Sequence, residues 1–175
     1  MMDNLFGACE REQLTVLIHI APQHGDAYGI VDEPGVPRIK KTLKKHPDMK
    51  MIGHSAAFWC EIGEYPLEMR NAYPKGKIVK EGRLPQLLRE CPNLYCDLSA
   101  GSGANPMMRD PEYAARFMEE FADRIFYGSD VGATYSMFQY DFDAFLTQMV
   151  QAGKISQTDY EKIIRLNALK LLGIC

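Results

Sequence analysis

No stretch of this 175-residue chain approaches the run of ~20 apolar residues that a membrane-spanning helix needs. Its start, Met1-Met2-Asp3-Asn4-Leu5, lacks the basic segment and apolar core of a secretory leader, so the expectation is a cytoplasmic protein. Charge of one sign is also missing. The 20 basic and 23 acidic side chains are interspersed and sum to −3, which gives neither nucleic acid nor an anionic membrane surface anything to bind. There is no C-x-x-C pair, and the five cysteines (Cys9, Cys60, Cys91, Cys96, Cys175) are an odd set. That indicates neither a disulfide framework nor a structural zinc site, and the thiols read as reduced and mostly buried. Neither G-x-G-x-x-G nor G-x-x-x-x-G-K-[ST] occurs, so no nucleotide-binding loop is marked. What is left, with 46% hydrophobic residues, is one domain over 1–175 with a real core.

What the chain does contain is a repeated unit, a short apolar run ending in a polar or ionisable residue. The runs are Leu14 to His19, Met49 to His54, Leu94 to Ser99 and Arg124 to Asp130. Continuous apolar runs of this length, separated by helical material, are the pattern of parallel strands buried on both faces. Helices are predicted over 3–12, from Pro37 to the break at His46-Pro47, over Arg83–Cys91, from the cap at Asp110-Pro111 to about Phe121, around Tyr140–Ala152, and from Ser156 to Gly173. Each interval from His19 to His54, to Asp97 and to Asp130 fits one β-α-β step of about 30 or more residues. An open doubly wound sheet and a stretch of (β/α)8 barrel both satisfy this spacing. The barrel gains when the strand ends are considered.

In parallel barrels the catalytic residues cluster at the carboxyl ends of the strands. His19, His54 and Asp130 hold that position, with Asp97 on the strand between them. A lone histidine or a Gly-Ser-Asp turn is ordinarily structural. Three such residues closing parallel strands point to imidazole and carboxylate ligands for a divalent metal, zinc first among them, and to hydrolysis by an activated water. The Gly- and Pro-rich segments 21–36 and 63–82 follow strand ends, where function-bearing loops lie. Tyr28, Asp32 and Glu33 there are candidate substrate contacts, and His24 could lean over the same mouth. Trp59, with Phe58, either walls a substrate pocket or packs under a helix. His46, beside Lys44 and Lys45, reads as the surface end of a helix.

The segments Val16-Leu17-Ile18-His19-Ile20, Ile52-Gly53-His54-Ser55, Asn93 to Ala100, Phe126-Tyr127-Gly128-Ser129-Asp130 and Asn167 to Gly173 together resemble the amidohydrolase-related family (amidohydrolase family 2). The resemblance covers essentially the whole chain. It implies a TIM-barrel metal-dependent hydrolase of which this chain is the C-terminal half, strands 5 to 8. It further implies His19 as a metal ligand and Asp130 as both metal ligand and proton acceptor. His54 is implied as a catalytic hydrogen-bond donor, or as a second ligand where two metals bind. The family's first strand carries a His-x-His pair that this chain, with histidines only at 19, 24, 46 and 54, does not have. The expectation is therefore a domain lacking the N-terminal half, with an incomplete metal site. Such a chain would associate with its own copies or with a chain supplying the missing strands. A small organic acid, lactone or amide is the expected substrate. Non-oxidative decarboxylation in the same family, or a non-catalytic truncated half-barrel acting through a partner, are the alternatives.

Overall fold

Helices lie between most of the strands along the chain, and the pairs Val16–Ala21 with Ile30–Val31, Val16–Ala21 with Met51–His54 and Leu94–Asp97 with Ile125–Phe126 run parallel. The structure is a computed structural model and describes residues 2–23, 28–132 and 138–174. The backbone divides into two compact units, Met1–Ala72 with Val79–Tyr95 and Tyr73–Ile78 with Cys96–Cys175.

The first unit contains α1 (Met2–Arg11), β1 (Val16–Ala21), β2 (Ile30–Val31), α2 (Pro37–Lys45), β3 (Met51–His54), α3 (Ala56–Cys60) and α4 (Arg83–Glu90). β4 (Leu94–Asp97) begins in the first unit and ends in the second. The second continues with α5 (Ala100–Met108), α6 (Pro111–Phe121), β5 (Ile125–Phe126), α7 (Phe138–Gln151), α8 (Gln157–Glu161) and α9 (Asn167–Leu172). The hydrogen-bonding order of the sheet is β2-β1-β3-β4-β5. All four expected strands are present, and β2 is an addition the short Ile30-Val31 pair gave no periodic signal for. Among the described residues no helix is long and apolar enough to cross a membrane.

Alternation along β1 sorts its side chains. Ile18 and Ile20 point into the helix-covered core at 4% and 1% exposure, whereas Leu17, on the same face as His19, is 61% exposed. β2 pairs β1 only at Ile20 and Ala21. That pairing carries β1 two residues beyond His19, so His19 lies within its strand and not at the last position expected for it.

Local chemistry explains the helix starts. Pro37 opens α2 without an N–H to satisfy, and the Asp32 carboxylate accepts from the next two amides, Arg38 N at 3.1 Å and Ile39 N at 2.9 Å. Asp110 caps α6 by accepting from Tyr113 N at 3.2 Å, and Ser156 caps α8 by accepting from Asp159 N at 3.0 Å. A π-turn over Lys162–Leu166 joins α8 to α9, which Gly173 closes at φ 66°. Two asparagines of the quoted motifs act as clamps. Asn93 Nδ2 donates to the carbonyls of Leu43, His46 and Met49, and Asn167 Nδ2 to those of Ala122 and Ile125. Each brings a helix end onto the sheet.

His46 departs from the expectation of a surface position. It does end α2, but it is 6% exposed, with Nδ1 2.9 Å from Glu10 and Nε2 3.2 Å from Asp3, both on α1. Two acceptor-only partners require both ring nitrogens to donate, so the geometry is that of an imidazolium. Glu10 foremost, then Asp3, holds its pKa above the usual histidine range. Sequence spacing alone could not show that α1 folds back across this helix end. Cys60, Cys91 and Cys96 are buried and Cys9 half-buried, and burial pushes the Cys96 thiol far up.

Candidate active site

The structure brings His19 and His54 together. They are register partners in the parallel β1–β3 pair, where residues level with one another project from the same face. Their ring centroids are 5.3 Å apart at an interplanar angle of 54°. His54 is 8% exposed and His19 half-buried. Two imidazoles sharing one tetrahedral ion at a metal–nitrogen distance of about 2 Å would have centroids roughly 5 Å apart, so the pair fits two places of such a shell.

Two glycines make this placement possible. Gly29, at φ 123°, passes directly over His19, and a Cβ there would lie 2.5 Å from the His19 carbonyl oxygen and 2.9 Å from its ring carbon Cδ2. The loop thereby sets the Tyr28 ring 4.2 Å from that of His19. Gly53 lies against the face of Phe58, where a Cβ would come within 2.2 Å of the ring. Ser55, next after His54, is a different case. It is 1% exposed and held at φ 117°, ψ 165°, a region that costs a non-glycine residue on the order of 1–3 kcal/mol. Its Oγ donates to Ile20 O at 2.7 Å and accepts from Phe58 N at 3.1 Å, capping α3.

Asp130 belongs to the second unit. β5 ends at Phe126, so Asp130 lies in the exposed loop beyond the strand, at φ 51°, a left-handed conformation that aspartate tolerates. Gly128 fits closely against Asp97 and Ser99, whose Cβ would be 3.0 Å from any side chain built there. Asp97 itself is turned to local use: it accepts from Ser99 N at 2.6 Å and Ser99 Oγ at 2.8 Å. Trp59 is 2% exposed and packs edge-on to Phe58 with centroids 5.7 Å apart. Among the described residues no three His, Cys, Asp or Glu side chains gather as a group able to hold a metal ion. His24 lies outside the described residues.

The neighbouring loop residues serve the scaffold. Asp32 is 1% exposed, and burial raises its carboxyl pKa despite the backbone amides it accepts. Glu33 forms an ion pair with Arg38, which lowers its pKa. Arg70, which no pattern in the sequence singled out, is buried and donates to the carbonyls of Pro22, Asp32 and Glu33 while pairing with Glu61 at 3.3 Å. It ties down both flanks of the loop after β1. A cavity of about 450 Å3 opens beside it, lined by Pro34, Gly35, Cys60, Glu61 and Tyr65 among others and by neither histidine.

A parallel β/α chain with imidazoles level on adjacent strands has the architecture of the β/α-barrel enzymes. The amidohydrolase family model matches residues 2–174, and the chain belongs to that family. A crystal structure of an amidohydrolase from Burkholderia multivorans with bound zinc is similar in fold, with a TM-score of 0.60 at 13% identity. The match covers 98% of this chain and 56% of that one, so the chain spans little more than half the length of that structure. No curated protein matches the chain.

Proposed function

We propose that the chain provides the His19, His54 and Asp130 part of a metal-dependent amidohydrolase site acting on a small organic acid, lactone or amide. The observation that carries this is the His19–His54 pair, level across β1 and β3 at 5.3 Å, in a chain of the amidohydrolase family. Imidazole nitrogen and carboxylate oxygen are the donors a zinc-like ion takes. When bound, such an ion supplies Lewis-acid polarisation and brings the pKa of water to about 7. In this reading His19 and Asp130 would hold the ion. Asp130 would also accept the proton of the attacking water as a general base. His54, the more buried of the two histidines, donates a hydrogen bond that orients the scissile carbonyl.

The same reading has the site completed by further β/α strands, from a second copy or another chain. Two features support this: Val16–His19 has a strand on only one side among the described residues, and Leu17 is 61% exposed beside His19. The test is hydrolysis of a panel of lactones, amides and esters by the zinc-supplemented protein, alone and mixed with candidate first-half chains, with carbon dioxide release followed in parallel. Hydrolysis that chelation and His54→Ala both abolish supports the proposal. Carbon dioxide release without hydrolysis would replace it with a decarboxylase, and inertness of every mixture would leave a non-catalytic half-barrel.

A further inference from the structure

We infer that Ser55 is the positioning residue of the His19–His54 pair. The inference rests on the reading above for what the pair is for, but not for where the rings sit. The β1–β3 ladder ends at His19↔His54: β3 stops at His54, while β1 continues to Ala21 and takes β2 as its partner instead. The two imidazoles thus sit on the last rung of the ladder, and just beyond them the strands part, so backbone pairing holds them from one side only. One atom bridges the gap. Ser55 Oγ joins the residue after His19, by its 2.7 Å bond to Ile20 O, to the helix start that follows His54, by its 3.1 Å bond from Phe58 N. A hydroxyl has one proton to give and lone pairs to accept with, so both bonds are satisfied at once, and at 1% exposure no solvent competes for either.

The backbone at Ser55 argues in the same direction. At φ 117° and ψ 165° glycine would be relaxed and serine is not. Such a conformation persists only where the surroundings over-determine it; Ser55 O accepts from Trp59 N at 3.0 Å, and the contacts that glycine could not make are the two of the hydroxyl. Phe58, whose amide is one of those contacts, also lays its ring against Gly53 on the other side of His54. Ser55 thus acts on both sides of His54 and, through Ile20, on His19, without touching either ring's chemistry.

The experiment compares the full chain with Ser55→Ala and Ser55→Gly by the nuclear Overhauser effect between the His19 and His54 ring protons, with zinc titration as a second arm. Both variants are expected to weaken the ring-to-ring effect several-fold, with zinc affinity falling about tenfold, as for loss of other outer-shell supports. Ser55→Gly is expected to melt no lower than Ser55→Ala, because both lose the same two hydrogen bonds and glycine relieves the backbone. A purely structural serine would lower the melting temperature in both variants and leave the ring-to-ring effect in place. Ring-to-ring intensity within about twofold of wild type in both variants overturns the inference. So does failure of Ser55→Gly to fold, since that would assign Ser55 to the core. A loss of the ring-to-ring effect in a protein with no zinc affinity in any form would uphold the positioning role while refuting the metal-site reading.

Discussion

Replacing Gly53 by alanine tests how tightly the strand end before His54 is packed. The new Cβ would stand 2.2, 2.3 and 2.7 Å from three ring carbons of Phe58, against about 3.5–4.0 Å for a normal carbon contact. Relief requires the ring to retreat by more than an ångström. Phe58 has nowhere to go: it is fully buried, its amide is held by Ser55 Oγ, and Trp59 lies edge-on to it. The overpacking cost therefore falls at the upper end of the usual range, about 3 kcal/mol, of which roughly 0.5–1 kcal/mol is returned because alanine restricts the unfolded chain more than glycine. A net loss of about 2 kcal/mol should appear as a lower urea midpoint with an unchanged denaturant slope. Combining Gly53→Ala with Phe58→Leu should recover about 1–2 kcal/mol of it as a favourable coupling energy. A Gly53→Ala chain within about 0.5 kcal/mol of wild type, or a strictly additive double variant, would refute the packing argument.

The remaining predictions concern α1, the sheet clamp and the sheet edge. His46 has a raised folded pKa, so its contribution is fully present below the unfolded value of about 6.5 and is lost as pH rises through the folded value; Asp3 and Glu10 are lowered, so theirs is lost on acidification. Hydrogen exchange of α1 amides should therefore be slowest in mildly acidic solution, and His46→Gln should remove the alkaline limb of that profile. Asn93→Ala leaves buried carbonyls of Leu43, His46 and Met49 short of a donor and should cost about 2–3 kcal/mol by chemical denaturation. Sedimentation and melting temperature should both depend on protein concentration if the Val16–His19 edge and Leu17 are covered by association. A compact monomer with a concentration-independent melting temperature would contradict that.

Much of the architecture was legible because it rests on local rules. Apolar runs gave β1, β3, β4 and β5 to within a few residues, and Asp110-Pro111 and Ser156 announced helix starts whose capping bonds the structure contains. Short elements left no such trace: β2 is two residues and α3 five, too few for a period to register. The pairing of His19 with His54 could be anticipated from their like positions at the ends of successive runs. The groups that hold the pair could not, because Gly29, Gly53 and Ser55 act through contacts set only once the loop and α3 fold over the strand ends. His46 was misread for the complementary reason: it looks solvated in sequence and is buried by partners distant in the chain. Asp32, read in sequence as a candidate substrate contact, is buried at the start of α2, an arrangement the sequence does not encode locally.

The most direct test of the central claim is a zinc titration of the wild-type chain, His19→Ala and Asp130→Ala by calorimetry, with metal content of the purified protein measured alongside. Metal binding needs preformed, deprotonated ligands, and a site with part of its ligands binds weakly. The account predicts weak binding by the wild-type chain, reduced about tenfold or more by His19→Ala and likewise by Asp130→Ala, with affinity falling as pH drops and protons displace the metal from histidine. Equal zinc binding by wild type and His19→Ala would contradict it, because the metal would then sit elsewhere in the chain.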